Sequence, residues 1–87
     1  MKYTQYFIFA KQRSDRAIIR EEWIIETINN PLRVQKQSDG RIKKWGYIEE
    51  AGKYLRVILL EDGETIHNVF LIGVLRRQDH ESQIFFR

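Results

Sequence analysis

The stretch KYLRVILLEDGETIHNVFL, residues 53–71, contains two apolar segments separated by Asp62 and Gly63. An Asp-Gly pair between apolar segments is a strong short-range signal of a hairpin with a two-residue turn. In the second segment, His67 and Asn68 occupy neighbouring positions where β-branched residues would suit a strand better. The stretch therefore predicts a β-hairpin and marks His67 and Asn68 as candidates for a functional role.

The sequence on the N-terminal side of this hairpin continues the strand pattern as far back as Leu32. The four predicted strands are LRVQKQ, RIKKWGYI, KYLRVILL and TIHNVFLI, separated by the turn signals SDG, EEAG and DG. Turns this short join antiparallel neighbours, so we expect a four-stranded antiparallel meander.

The residues before Pro31 predict helices. Ile19, Trp23, Ile24 and Ile28 have helical spacing, which predicts a helix over residues 20–29 that ends before the proline. Residues 3–10 fit a helical stripe or an aromatic strand, and we predict a short helix followed by a polar loop, KQRSDR.

Together these elements predict an α+β fold in one domain. The helical residues 1–30 pack on one face of the sheet of residues 32–75. The tail of residues 76–87 is polar until Ile84, Phe85 and Phe86, which would form an edge strand or contact a partner.

Turn lengths predict which side chains share a face, because side chains alternate along a strand. The predicted pairs are Leu59–Ile66, Val57–Asn68, Leu55–Phe70, Trp45–Ile58, Tyr47–Arg56, Arg33–Trp45 and Gln35–Lys43. A three-residue loop at Glu61 to Gly63 is the alternative. It would move Asn68 to the side of Arg56 and turn His67 inward.

The preferred pairing separates an apolar face from a basic one. The core face holds Leu32, Val34, Ile42, Ile48, Leu55, Val57, Leu59, Ile66 and Phe70, with Lys44 and Asn68 as polar exceptions. The opposite face holds Arg33, Gln35, Arg41, Lys43, Trp45, Tyr47, Arg56 and His67, a set with four cations and no acid.

Cations alternating with aromatic rings suit a single-stranded nucleic acid, because cations contact phosphates and rings stack on bases. We expect Arg33, Arg41, Lys43 and Trp45 to bind RNA. For RNA cleavage, His67 would be the acid or base, Arg56 would hold the phosphate, and Tyr47 or Lys43 would assist. The competing interpretation is structural: His67 is an ordinary half-buried strand residue, the aromatic residues pack the sheet, and the cations are a solvated face.

Composition limits the other function classes. The 87 residues contain no cysteine, and the formal net charge is +3. No thiolate metal site is available, two distant histidines make a poor metal site, and no phosphate-binding loop appears, so we expect neither metal nor cofactor. No segment has the length or the flanking residues of a membrane span or signal peptide, which predicts a cytoplasmic protein.

The motifs resemble a family of small bacterial α+β domains that has no assigned biochemistry. They are a helix ending at Asn-Pro, then DGRI (39–42), Trp45, LRV (55–57), DGET (62–65) and HNVF (67–70). A more distant resemblance is to RelE-type and BrnT-type toxins, which implies a ribonuclease-like fold and an antitoxin-like partner. A homodimer is the alternative assembly. Family members continue after the HNxF motif with an aromatic residue and Asp-Arg, whereas this chain has Leu71, Ile72 and Gly73, so the resemblance supports the fold more than catalysis.

Overall fold

The computed structural model of the chain describes residues 2–73 and the backbone of residues 83–86. In chain order the elements are β1 (Lys2–Tyr3), α1 (Gln5–Ala10), α2 (Ser14–Ala17), α3 (Glu21–Asn29), β2 (Arg33–Lys36), β3 (Ile42–Ile48), β4 (Lys53–Leu59), β5 (Thr65–Ile72) and β6 (Gln83–Phe86). The predicted α+β class, with helices packed against one face of a sheet, is confirmed.

The sheet has the strand order β1-β5-β4-β3-β2-β6. Strands β2 to β5 form the predicted antiparallel meander. The prediction of a four-stranded, wholly antiparallel sheet was incomplete, because β1 pairs parallel with β5 at one edge and β6 pairs antiparallel with β2 at the other. No turn signal indicates either outer pairing, since each joins segments that are distant in the sequence.

The loop between β3 and β4 is longer than the two-residue turn at Ala51 and Gly52 from which the pairs Trp45–Ile58 and Tyr47–Arg56 were predicted. It contains the four residues 49–52, and Gly52 adopts a φ of 64° that favours glycine. Trp45 therefore lies opposite Arg56 instead of Ile58, and Tyr47 lies opposite Tyr54 instead of Arg56. Because the loop is longer by two residues, these side chains keep their predicted faces.

Strand β5 contains a β-bulge at His67. Leu59 lies opposite Ile66 as predicted, but the adjacent Ile58 lies opposite Asn68. His67 is therefore an extra residue in β5, and the residues that follow it exchange faces relative to the predicted register.

The exchange of faces corrects several predicted positions. The pairs beyond the bulge are Ile58–Asn68, Val57–Val69, Arg56–Phe70, Leu55–Leu71 and Tyr54–Ile72. Val69 thus enters the core, whereas Phe70, predicted for the core, lies on the opposite face beside Arg56. Asn68 also leaves the core side, as the alternative three-residue loop would require, but the bulge and not the turn is the cause.

The helices agree with the sequence except in one segment. Helix α3 begins after Arg20 and ends at Asn29, as predicted, because Pro31 follows. Helix α1 is also confirmed, and the Thr4 side chain caps it by accepting a hydrogen bond from the Phe7 amide. The predicted loop KQRSDR is wrong in part, since Ser14–Ala17 forms one turn of helix.

The core lies between the helices and one sheet face. It comprises Phe7, Ile19, Ile24, Ile48, Leu55, Val57, Leu59, Ile66 and Val69. Leu32, predicted for the core, is 44% exposed because it precedes β2 instead of lying within it.

Lys44 lies on the core side, as the strand pattern predicts, and reaches the end of α3. Its Nζ donates a hydrogen bond of 2.9 Å to the carbonyl oxygen of Ile28 in the last turn of α3. Burial lowers the pKa of Lys44 below its ordinary value. The cation thus satisfies a terminal carbonyl where the helix dipole favours positive charge.

Candidate functional site

The bulge in β5 separates two kinds of hydrogen bond at the strand edge. Before the bulge β5 bonds to the backbone of another segment, and after it β5 bonds to side chains. On its N-terminal side, the Thr4 amide donates to the Ile66 carbonyl at 3.0 Å. Beyond the bulge, the Val69 amide donates to Oδ1 of Asn68 at 2.9 Å, and the Val69 carbonyl accepts from Nε of Arg16 at 3.1 Å. Side chains therefore satisfy a strand edge that would otherwise offer unpaired groups.

The imidazole of His67 contacts the N-terminal end of α1. Its Nδ1 lies 3.3 Å from Oγ1 of Thr4, the oxygen that also accepts from the Phe7 amide. The Tyr6 ring stacks on the imidazole, with centroids 5.0 Å apart and an interplanar angle of 22°. Nδ2 of Asn68 donates to the Tyr6 hydroxyl at 3.4 Å. The histidine is thus positioned by groups from two elements.

The surroundings of His67 favour its neutral form. Burial lowers the pKa of this histidine, the positive charge of Arg41 lowers it further, and Asp39 opposes the shift. A neutral imidazole at pH 7 has a nitrogen that can accept a proton. The electrostatics therefore suit a general base better than an acid.

The sheet face opposite the core, here called the outer face, carries a row of alternating cations and rings. Arg33, Trp45, Arg56 and Phe70 are successive neighbours across β2 to β5. The Arg33 guanidinium lies 4.6 Å from the Trp45 ring centroid, and that of Arg56 lies 4.9 Å from the centroid of Phe70. Arg16 of α2 continues the row, 4.5 Å from the Phe70 centroid. These contacts have cation–π geometry.

Burial separates the residues predicted to bind nucleic acid into two groups. Trp45 is 0% exposed and Arg33 is 1% exposed, so neither offers surface to a ligand in this conformation. Arg41 is exposed and Lys43 is half-buried. Nη1 of Arg41 lies 3.9 Å from a carboxylate oxygen of Asp39 in the adjoining turn.

Tyr47 is not brought together with the other two predicted catalytic residues, Arg56 and His67. Arg56 is half-buried, and its pair with Phe70 lies one step along the sheet face from the Ile58–Asn68 pair beside His67. A step here is two residues, the spacing of side chains on one face. Tyr47 pairs with Tyr54, two such steps from that position, which is roughly 13 Å along the strands. Lys43, which lies opposite Ile58, is closer to His67 than Tyr47 is.

Sequence reasoning missed Thr4, Tyr6 and Arg16 as neighbours of the site. The sequence could have identified Thr4 as a helix cap, because threonine before a helical segment is a typical N-cap. Nothing local indicated that the N-terminal segment returns to β5, since the parallel pairing of β1 connects residues more than 60 positions apart. Arg16 falls in the segment predicted to be a loop.

A second surface feature lies on the helices. Ile8 and Phe9 of α1, and Ile18 at the end of α2, expose large apolar side chains, and Phe9 is 69% exposed. These three residues are called the α-surface below. Ile8 and Phe9 are consecutive in α1, and contiguous exposed apolar side chains indicate a binding surface more often than scattered ones do.

Across residues 2–73, no group of three or more histidine, cysteine, aspartate or glutamate side chains could hold a metal ion. In the same part of the chain, no helix has the length and apolarity to cross a bilayer.

Comparison with known proteins gives no further information on the site. No protein-family model matches the sequence, and no curated protein or solved structure gives a significant match.

Proposed function

We propose that the chain is a cytoplasmic RNA-binding protein of RelE-like, toxin-like architecture that contacts RNA through Arg41, Lys43 and His67, here called the His67 site. The observation that carries the proposal is the bulge. It places an imidazole with a lowered pKa in contact with Thr4 and Tyr6, at the end of the outer face where Arg41 is exposed. Bulges are over-represented next to active sites, because they re-aim a side chain.

The charges of the outer face support an anionic ligand. The exposed Arg41 and the half-buried Lys43 bring two cations to one end of this face, and Asp39 of the adjoining turn pairs with Arg41. Arginine and lysine at the exposed end would contact phosphates, whereas Arg33 and Trp45 have a packing role in this conformation.

If the protein cleaves RNA, the neutral His67 would take the proton of a 2′-hydroxyl as that oxygen attacks the adjacent phosphorus. Lys43 and the half-buried Arg56 would stabilise the charge that develops on the phosphate oxygens. Breaking the bond to the 5′-oxygen, which takes a proton from water, would leave a 2′,3′-cyclic phosphate on one fragment and a 5′-hydroxyl on the other. Tyr47 has no part in this arrangement, because of its distance along the strands.

The proposal is tested by binding of fluorescein-labelled oligouridylate at a series of salt concentrations. The Arg41→Gln/Lys43→Gln double variant should bind more weakly, and its slope of log K against log salt should fall by about 1.4, since each single-strand phosphate contact contributes about 0.7. Arg13→Gln/Lys53→Gln removes the same charge elsewhere and should retain the wild-type slope. Equal losses in both variants, or no wild-type binding at low salt, would contradict RNA binding.

RNA cleavage is tested separately, with the same purified protein and the same oligouridylate. His67→Ala should abolish release of a 2′,3′-cyclic phosphate, whereas the slope of binding with salt, which Arg41 and Lys43 set, should persist. Cleavage that survives this substitution would remove His67 from the catalytic role and leave the binding proposal standing.

A second candidate function is protein interaction through the α-surface, in which a second copy of the chain would bury the apolar residues. The exposure of Phe9 favours it, because water contact with a phenyl ring is unfavourable. Phe9→Glu should convert a dimer to a monomer in sedimentation velocity at unchanged helix content. A monomeric wild-type protein would contradict self-association and leave an antitoxin-like protein as the partner to be tested on the same surface.

A further inference from the structure

Tyr6 is the exposed aromatic residue of the His67 site. Its side chain is 49% exposed although one face of its ring lies on the imidazole of His67. The contact with Nδ2 of Asn68 restrains the hydroxyl end of the ring. Stacking and hydrogen bonding thus hold the ring in one orientation without covering it.

Trp45, the aromatic residue that the strand pattern predicts to stack on a base, cannot do so in this structure. Trp45 is 0% exposed, and its ring lies against the Arg33 guanidinium. Tyr47 is 48% exposed, but it lies at the far end of β3 against Tyr54, at a ring separation of 5.0 Å. Of the rings on or beside the outer face in residues 2–73, Tyr6 combines exposure with contact to His67.

We propose that Tyr6 is the base-stacking residue of the His67 site and that its ligand is an unpaired nucleotide of single-stranded RNA. The base lies on the exposed part of the Tyr6 ring and extends the stack formed with His67. The phosphate of the same strand lies toward Arg41 and Lys43. This inference rests on the proposed RNA binding and names the part of the ligand that the helix contacts.

The stack explains why a base, and not a phosphate alone, would be recognised. Aromatic rings accept any base through its π-face, so the contact would be tolerant of sequence but would require a base. A double helix keeps its bases stacked within the duplex, so the same surface would disfavour paired RNA. The expected ligand class is therefore single-stranded RNA with little sequence preference.

The test compares Tyr6→Leu with Tyr47→Leu, since the two tyrosines have nearly equal exposure and only one contacts His67. Labelled oligouridylate should bind to Tyr6→Leu roughly 5- to 100-fold more weakly than to wild type, the loss typical of one stacked base. Tyr47→Leu should retain wild-type affinity, and Tyr6→Phe, which keeps the ring but loses the hydrogen bond from Asn68, should bind more tightly than Tyr6→Leu. The slope with salt should be the same in all four proteins, because no phosphate contact is removed.

An abasic ribose-phosphate chain of the same length separates stacking from a general loss of structure. Wild type and Tyr6→Leu should bind it equally, since it has no base to stack. Wild-type affinity of Tyr6→Leu for oligouridylate, or an equal loss with the abasic chain, would overturn the assignment of Tyr6. Failure of the wild type to bind either probe at low salt would instead overturn RNA binding itself.

Discussion

Thr27 of α3 lies directly over Gly46 of β3, so closely that a Cβ on Gly46 would be 2.8 Å from Oγ1 of Thr27. The glycine therefore sets how near the helix approaches the sheet. The Thr27 side chain is buried, and its hydroxyl has no hydrogen-bond partner in the described part of the chain. The contact depends on close packing and not on a polar interaction.

Gly46→Ala should destabilise the protein by about 1–3 kcal/mol, because an overpacked contact forces the helix or the strand to shift. Thr27→Ala removes Oγ1, the atom nearest to the added Cβ, and Cγ2, so the double variant should lose less stability than the sum of the single variants. Urea unfolding measures all three. Gly73→Ala, where an added Cβ meets no atom within 4 Å, is the control. Strict additivity would show that the two residues do not oppose each other.

The lowered pKa of His67 predicts a loss of stability in mild acid. The unfolded chain takes up a proton near the ordinary value of 6.5, whereas the folded protein does so only at lower pH. The unfolded state therefore binds more protons in that interval, and stability should fall as the pH decreases through 6.5. Urea midpoints across this range should show the decline in wild type and a smaller decline in His67→Gln.

His80 is the only other histidine in the sequence. An unchanged decline in His67→Gln would place the pH dependence elsewhere in the protein.

Asp62 predicts a second pH dependence at lower values. The Thr65 hydroxyl, the Thr65 amide and the Glu64 amide all donate hydrogen bonds to its carboxylate, and they lower its pKa from 3.8 to about 2. The stability that these hydrogen bonds contribute is fully present above pH 3.8 and is lost as the pH falls toward 2. Asp62→Asn should show a smaller loss of stability across that interval in urea titrations, whereas Glu61→Gln in the same turn should follow wild type. Parallel curves for Asp62→Asn and wild type would contradict this assignment.

Arg16 should stabilise the edge of β5 in a way that lysine cannot reproduce. Its Nε donates to the Val69 carbonyl, and its planar guanidinium lies against the Phe70 ring. Arg16→Lys loses the directed donor and the flat contact, so we expect a loss of about 1–3 kcal/mol in the free energy of unfolding. Thermal or urea unfolding provides the measurement. Arg13→Lys, at an exposed neighbouring position, should change stability by less than about 0.5 kcal/mol. Equal effects of the two substitutions would contradict the role of Arg16.

The sequence by itself predicted the elements whose signals are local. Alternating apolar residues and short turns indicated the meander, and Pro31 marked the end of α3. Those signals also gave the Arg33–Trp45 and Leu59–Ile66 pairings, because each lies close to a turn of short length. The spacing of Tyr3, Tyr6, Phe7 and Ala10 indicated helix α1, although the aromatic residues fitted a strand equally well.

Only the tertiary structure decided the faces of β5 beyond His67 and the neighbours of that histidine. A bulge adds one residue to a strand without a sequence signal of its own, and one extra residue exchanges every face that follows. Contacts of Thr4, Tyr6 and Arg16 with β5 join distant parts of the chain, so no local pattern specifies them. Local periodicity determines which segments are strands and helices, whereas the packing of distant segments determines which side chains meet.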